Sequence, residues 1–291
     1  MAPLLTILLP LMLALMTLVM GMTLETHHFS RLRQKPRPLV LGLAMQWGLL
    51  PLLAWLLIVT LELPTTTAAA LILISAAPGG ATSNMFSFLA DGDTALSVSL
   101  TAFVGLLAPL WMPVAIMIQL PWLGIDSGTL TLPLGPTMAQ LALICIVPVV
   151  VGMMIRRYHR AWVDRHQPRL KQLVGFLFML LLLALVARNL QQLPSLLGRS
   201  ALAMLLLCAL ALSAGYLLAR LARCPPASCR SLAFEVGIQN GAIAILVAYS
   251  QLGSDELAMM ALLYGILMNL PALALLAWFR VRTPTPLFSR Q

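Results

Sequence analysis

Charge is what this sequence has least of. Only 9% of its 291 residues are Asp, Glu, Lys or Arg, against roughly a quarter in an ordinary soluble domain, so a water-soluble globule is excluded. Acid is scarcer than base, with 9 Asp and Glu against 18 Lys and Arg and a net charge of +9. Aromatic residues, at 7%, do not interleave with the basic ones as they would on a nucleic-acid-binding surface, and no nucleic-acid partner is expected. The cysteines are Cys145, Cys208, Cys224 and Cys229; two lie in apolar runs and two flank "CPPAS", which excludes a disulfide framework. The histidines, His27, His28, His159 and His166, fall in basic loops and read as solvated. No HExxH, GxSxG or Gly-rich nucleotide loop occurs, so the chain is not expected to be an enzyme. The start, "MAPLLTILLP", lacks the positive region of a cleavable signal, and its apolar segment is expected to be retained.

What the sequence does have is apolar length. Hydrophobic residues make up 60% of the chain and mean hydropathy is +0.95. Runs long enough to cross about 30 Å of hydrocarbon, roughly 20 residues each, recur near 4–24, 38–60, 66–90, 94–119, 134–156, 170–192, 197–220, 229–251 and 256–279. Backbone left unpaired in lipid is costly and the runs do not alternate like barrel strands, so they are predicted to be helices. The fold class is therefore all-α: a polytopic membrane protein of nine transmembrane helices in one domain spanning residues 1–291. Basic residues sort to one side of a nine-span topology, at Arg31 to Arg37, Arg156 to Lys171, Arg220 to Arg230 and Arg280 to Arg290. The opposite connections hold Arg188 and Arg199 with Glu62, Asp126, Asp255 and Glu256. This asymmetry places the N-terminus outside and the C-terminus in the cytoplasm, in a cell inner (plasma) membrane.

Leaving out the fifth run gives two groups of four with opposite direction. The third member of each is interrupted, span 3 at Pro78-Gly79-Gly80 and span 8 within "EVGIQNG", residues 235–241. Inverted repeats with a broken helix at matching positions point to a secondary transporter with its site near the bilayer midplane.

Glu235 stands about five residues into span 8. A carboxylate in the membrane costs about 2.5–3.5 kcal/mol on insertion scales, so it needs a cation, a proton or polar partners, unless it sits at the interface within reach of water. Gln239 and Asn240 follow within a turn and a half. In span 3, Pro78 removes a donor and Gly79 and Gly80 remove side chains, which frees backbone groups and leaves the N–H end of the second half-helix facing an anion. Such a run is also compatible with a plain kink, but Thr82 to Asn84 follow at once. Asp91-Gly92-Asp93 makes a tight turn, so Ser83 and Asn84 lie within about a turn of Ser97 and Thr101, themselves i,i+4 on one face. Hydroxyls in membrane helices commonly bond the preceding turn; the convergence of Ser83, Asn84, Ser97, Thr101 and Glu235 is what suggests ligands for a hard monovalent cation.

The segments "SAAPGGATSNMFSFLADGDTALSVSLTAFVGLLAPLWMP" (75–113) and "FEVGIQNGAIA" (234–244), with "LVMGMTL" in span 1 and "GLAMQW" in span 2, resemble the signature regions of the sodium/bile-acid symporter family, within the bile/arsenite/riboflavin transporter superfamily. The resemblance extends over essentially the whole chain, in the nine-span form of the family. It implies two broken helices that cross, a core domain (approximately 38–119 and 197–279 less panel helices) and a panel domain (approximately 4–60, 134–156 and 170–220, not separable by sequence). It also implies two Na⁺ sites, the first using Ser83, Asn84, Ser97, Thr101 and Glu235. The second would use Gln46, Glu235 and Gln239 with the backbone carbonyls of Val236 and Ile238. Substrate contacts would fall at Gly80, Ala81, Thr82, Asn240 and Asn269. Ala81 and Met268 depart from relatives that carry a hydroxyl residue and a His there, which bears on the substrate and not on the ions.

The function so implied is sodium-coupled symport of an organic anion by alternating access, the anion being a small carboxylate such as pantoate or a 2-oxo acid, or a bile-acid-like molecule. Its partners would be sodium, that anion and the lipid bilayer, with no obligatory protein partner. Alternatives are proton coupling through Glu235, an arsenite-type exporter, weakened by the absence of cysteine from both broken motifs, and a non-transporting membrane receptor, which lacks a soluble domain to transmit or dock.

Overall fold

A computed structural model of the chain describes residues 2–24, 36–124, 133–188 and 198–282. His27, His28, Arg31, Arg33, Lys35, Asp126 and Arg290 lie outside them. Among the described residues the structure is helical with no strand. Helix α1 spans Ala2–Gly21 and α2 spans Pro36–Thr60, with a π-turn at Met45–Leu49. The first broken pair is α3, Thr65–Ala76, and α4, Ala81–Leu89. Helix α5 is Thr94–Gln119, α6 is Leu134–Tyr158, α7 is Arg160–Arg188 and α8 is Arg199–Leu221. The second broken pair is α9, Pro226–Gly237, and α10, Gly241–Leu246, which runs on as a π-turn over Val247–Gln251. Helices α11, Asp255–Leu267, and α12, Asn269–Arg282, close the order.

Among the described residues, six stretches are long and apolar enough to cross a membrane, and Thr65–Ala76 and Gly241–Gln251 are shorter apolar helices. The first halves of the two broken spans, α3 and α9, begin alike. Pro64 and Pro225 sit at the N-caps of α3 and α9 with nearly identical backbone angles, and both helices are 12 residues long. Glu62 and Arg223, two residues before each proline, both have positive φ. The two halves of the chain thus enter their broken spans by the same local device.

One expectation is corrected. The basic segment between the fifth and sixth runs, read as a loop, is helical apart from His159: Arg156 and Arg157 close α6, and Arg160 to Lys171 form the first turns of α7. Hydropathy marks where a helix leaves lipid and not where it ends, because backbone bonds persist in water. His166 stacks on Trp162 there, on an exposed stretch of helix.

Burial divides the helices by role. In α3 every residue from Thr67 to Ala76 is buried, and in α9 nearly all are, so both lie at the centre and carry no amphipathic stripe. Around them pack α2, α4, α5, α8 and α11, and Phe279 of α12 meets Phe234 of α9 edge to face. Helix α8 approaches α9 closely at Gly215, where a β-carbon would lie 3.0 Å from Ala233 Cα. Helices α1, α6 and α7 pack on one another and turn large apolar side chains such as Leu143, Val147, Leu173 and Phe176 outward. Glycine sets the α1–α6 contact: a β-carbon on Gly152 would lie 2.2 Å from the Leu18 carbonyl oxygen, and one on Gly21 would lie 2.3 Å from that of Val149. Residues 36–60 and 199–221, within the ranges given to the panel from sequence, pack on the broken helices.

Candidate functional site

The site begins with two interruptions that complete each other. Ala77 and Ile238 are extended, and Gly79 and Gln239 pair as an antiparallel bridge. Asn240 N donates to the Pro78 carbonyl at 2.8 Å and Gly80 N to that of Ile238 at 3.4 Å. Helix ends inside a bilayer must find partners for their free backbone groups; here each break supplies them to the other. Two half-helices then start from the crossing. Asn240 caps α10, its Oδ1 accepting from Ile243 N at 3.3 Å, a role that the sequence reading missed although Asn before a helical run is its usual signal. Gly80 stands at the corresponding place for α4 without a side-chain cap.

On one side of the crossing lies Glu235, in the last turn of α9 and fully buried. Its Oε1 accepts from the hydroxyls of Ser83 at 2.6 Å, Ser97 at 2.6 Å and Thr101 at 2.7 Å, and its Oε2 from Thr101 at 2.9 Å. The same hydroxyls face further acceptors: Ser83 the Gly80 carbonyl at 2.6 Å, Ser97 and Thr101 the Oδ1 of Asn84 at 2.7 and 3.2 Å. Three hydroxyl protons therefore stand among four acceptor oxygens around one carboxylate, and each proton has at least two claimants. A hydroxyl carries one O–H, so the cluster is short of positive charge. A cation coordinated by these oxygens would relieve that shortage. Among the described residues no three His, Cys, Asp or Glu side chains gather, so the donors are one carboxylate with hydroxyl, amide and carbonyl oxygens, which suit hard ions and not thiolate- or imidazole-seeking metals.

The residues around Gln46 form a second polar group. Gln46 is buried in the π-turn of α2, and its Nε2 donates to the Glu235 carbonyl at 2.9 Å. Gln239 is buried too, its Nε2 donating to the Val236 carbonyl at 2.7 Å. With both amides committed, Gln46 Oε1 and Gln239 Oε1 are buried without a hydrogen-bond partner. Buried acceptors of this kind are rare and call for a ligand. The Ile238 carbonyl is held at the crossing by Gly80.

The other face of the crossing opens on a cavity of about 440 Å³ between α1, α6 and α7 and the broken helices. Ala81, Thr82, Asn240 and Asn269 line its polar part; Met16, Phe178, Leu182 and Val186 line its apolar part, and among the described residues no charged side chain borders it. Asn269 Nδ2 donates to the carbonyls of Gly265 at 2.9 Å and Ile266 at 3.1 Å. Asn240 has its Oδ1 occupied by the cap, and so keeps a free amide donor, whereas Asn269 keeps a free acceptor.

The structure thus brings together all five members of the first predicted group, and it gathers Gln46, Gln239, Val236 and Ile238 about the Glu235 backbone. Sequence reasoning missed Tyr264 and Cys208. The Tyr264 hydroxyl donates to the Gly237 carbonyl at 2.9 Å and the Cys208 thiol to the same oxygen at 3.3 Å, bracing α9 at its last residue. No local pattern marks either one; each sits in an unremarkable apolar run.

An all-helical membrane protein whose two discontinuous helices meet over an oxygen-rich, cation-deficient site belongs to the class of secondary transporters. Comparison with known proteins gives the family. Residues 10–196 match the Sodium Bile acid symporter family, and the chain belongs to it. It is 31% identical over 236 residues to the uncharacterized sodium-dependent transporter YocS of Bacillus subtilis, covering 79% of this chain and 70% of that one. It is 30% identical over 255 residues to the human ileal sodium/bile acid cotransporter, covering 86% of this chain and 71% of that one. It is 29% identical over 240 residues to the probable sodium/metabolite cotransporter BASS1, chloroplastic, of Arabidopsis thaliana, covering 81% and 57%. The chain is accordingly a multi-pass membrane transporter of the sodium-coupled class, and not an enzyme.

Proposed function

We propose that the protein carries an organic monoanion across the membrane in symport with two Na⁺ ions. The observation that carries this reading is the shortage of protons around buried Glu235, where hydroxyl and amide oxygens converge on one carboxylate. One ion would sit among Ser83, Asn84, Ser97, Thr101 and Glu235. The other would sit among Gln46, Gln239, Glu235 and the carbonyls of Val236 and Ile238, where two orphan amide oxygens await it. Two positive charges outweigh the carboxylate and hold the two broken helices against each other, so ion loading favours the state that receives the anion.

The anion's charged head would meet the N-terminal ends of α4 and α10, at Gly80, Ala81 and Thr82 and at the free amide of Asn240, with Asn269 offering an acceptor beside it. Because the rest of the cavity is apolar, its body is an uncharged organic moiety; pantoate, 2-oxo acids and bile-acid-like anions are the candidates to test first. Alternating access follows if α1, α6 and α7 move as a panel against the remaining helices. In this reading the chain crosses a plasma membrane nine times with its N-terminus outside and its arginine-rich end in the cytoplasm.

The test is uptake of labelled pantoate, 2-oxobutyrate and taurocholate into liposomes holding the purified protein. At least one should accumulate with an inward Na⁺ gradient, with a steeper than first-order dependence on Na⁺. Asn240→Asp should abolish it, since Asp caps a helix as well as Asn but sets a negative charge beside the anion. Accumulation that persists without sodium under a pH gradient would replace ion coupling by proton coupling at Glu235.

A further inference from the structure

Helix α10 ends as far from the crossing as its own length allows, and there it is tied to a helix of the other body. Gln251, in the π-turn Val247–Gln251, accepts through Oε1 from the hydroxyl of Thr137 at 3.0 Å and donates through Nε2 to Gln140 Oε1 at 2.8 Å. Thr137 and Gln140 are one turn apart on α6, and Thr137 is fully buried. A second tie lies at the same end: Arg188, the last residue of α7, is 3.6 Å from Asp255, the first of α11. That pair is partly exposed and contributes little; the amide tie is the more sheltered one. Both join α6 and α7 to helices of the broken-span body, at the end opposite Arg156, Arg230 and Arg280.

The chemistry suits a contact that must open and close. A side-chain amide that loses protein partners at the membrane edge regains them from water, so the net difference between the two states is small. A π-turn is a wide turn that recurs at functional sites because it can relax to α geometry. The rod between the crossing and the tie, Gly241 to Gln251, is about 15 Å long at 1.5 Å per residue, so a shift at Asn240 reaches Gln251 through one short element.

We propose that Gln251 is a gate residue: its amide, held by Thr137 and Gln140, closes the path to the cavity at the Asp255 end, and opening toward that side requires its release. The proposal rests on the transport reading, but its test does not need a substrate. Cys145 lines the cavity, and Cys224, half-buried near Arg220 and Arg223, marks the arginine-rich side. A membrane-impermeant maleimide is applied to intact cells and to inverted vesicles, and adducts at each cysteine are read by mass spectrometry. Gln251→Leu, and separately Gln140→Leu on the facing helix, should each raise Cys145 labelling about fivefold on the side from which Cys224 does not react. In the double variant Thr137→Cys with Gln251→Cys, oxidation should bring that labelling to background and reductant should restore it. Labelling from that side that is unchanged in both leucine variants, or that persists after the disulfide has formed, overturns the proposal. Absence of sodium-driven uptake by the unsubstituted chain counts against the transport reading instead and leaves the labelling result standing.

Discussion

Gly79 leaves room for Glu235. A β-carbon at position 79 would lie 2.8 Å from Glu235 Oε2 and 3.0 Å from Gln46 Nε2, so the glycine is there for space at the centre of the proposed ion site. Its neighbour Gly80 is less constrained, its nearest contacts being 3.4 Å or more.

The two glycines should therefore respond differently to the same substitution. Gly79→Ala should raise the Na⁺ concentration that half-stabilises the protein by about tenfold, the scale of an overpacked site. Gly80→Ala should change it by less than about twofold. Melting curves of the detergent-solubilised protein in NaCl against choline chloride measure both.

Glu235→Gln keeps the volume and removes the charge. Without sodium the variant should melt about 2–4 °C higher than the parent, because a buried, cation-deficient carboxylate is gone. Its melting point should no longer move when sodium is added, whereas the parent's should rise with the logarithm of Na⁺ concentration. A variant that still responds to sodium would remove Glu235 from the site.

Hydroxyls in the core are separable by what they bond. Ser97 reaches Asn84 and Glu235 across helices, so Ser97→Ala should weaken sodium binding about tenfold. Ser75 bonds back to the Ile72 carbonyl of its own helix, and Ser75→Ala should change sodium binding by less than about twofold. Isothermal titration with NaCl at constant ionic strength distinguishes them.

Gly152→Ala tests the α1–α6 contact, where the added carbon meets the backbone of Leu18 at 2.2 Å. Close backbone approach is what associates helices in lipid, so the variant should lose thermal stability and monodisperse yield. Gly175→Ala in α7, with nothing within 4 Å, should be at least as stable as the parent.

Much of the site was legible in the chain because its signals are local and costly. A carboxylate inside an apolar run, a Pro-Gly-Gly break and an Asp-Gly-Asp turn are each expensive in a membrane, and they led to Glu235, to Gly79 and to the pairing of Ser97 and Thr101 with Asn84. Gln46 was legible only through resemblance, since one amide in an apolar helix has no partner visible in sequence. Tyr264, Cys208 and the Gln251 tie to Thr137 and Gln140 left no trace at all. The helical course of Arg160 to Lys171 is not legible in sequence either, because polarity there marks the end of lipid contact and not the end of the helix.

Composition and order alone determined that this chain lives in a bilayer, that it is helical, and where its two interrupted spans lie, since lipid penalises every exposed charge and every unpaired backbone group along the chain itself. Which residues meet was decided only by tertiary structure. The cluster around Glu235 draws on α4, α5 and α9, from parts of the chain more than a hundred residues apart, and no local energy records such a distance; it arises when two broken helices satisfy each other's open ends and cross.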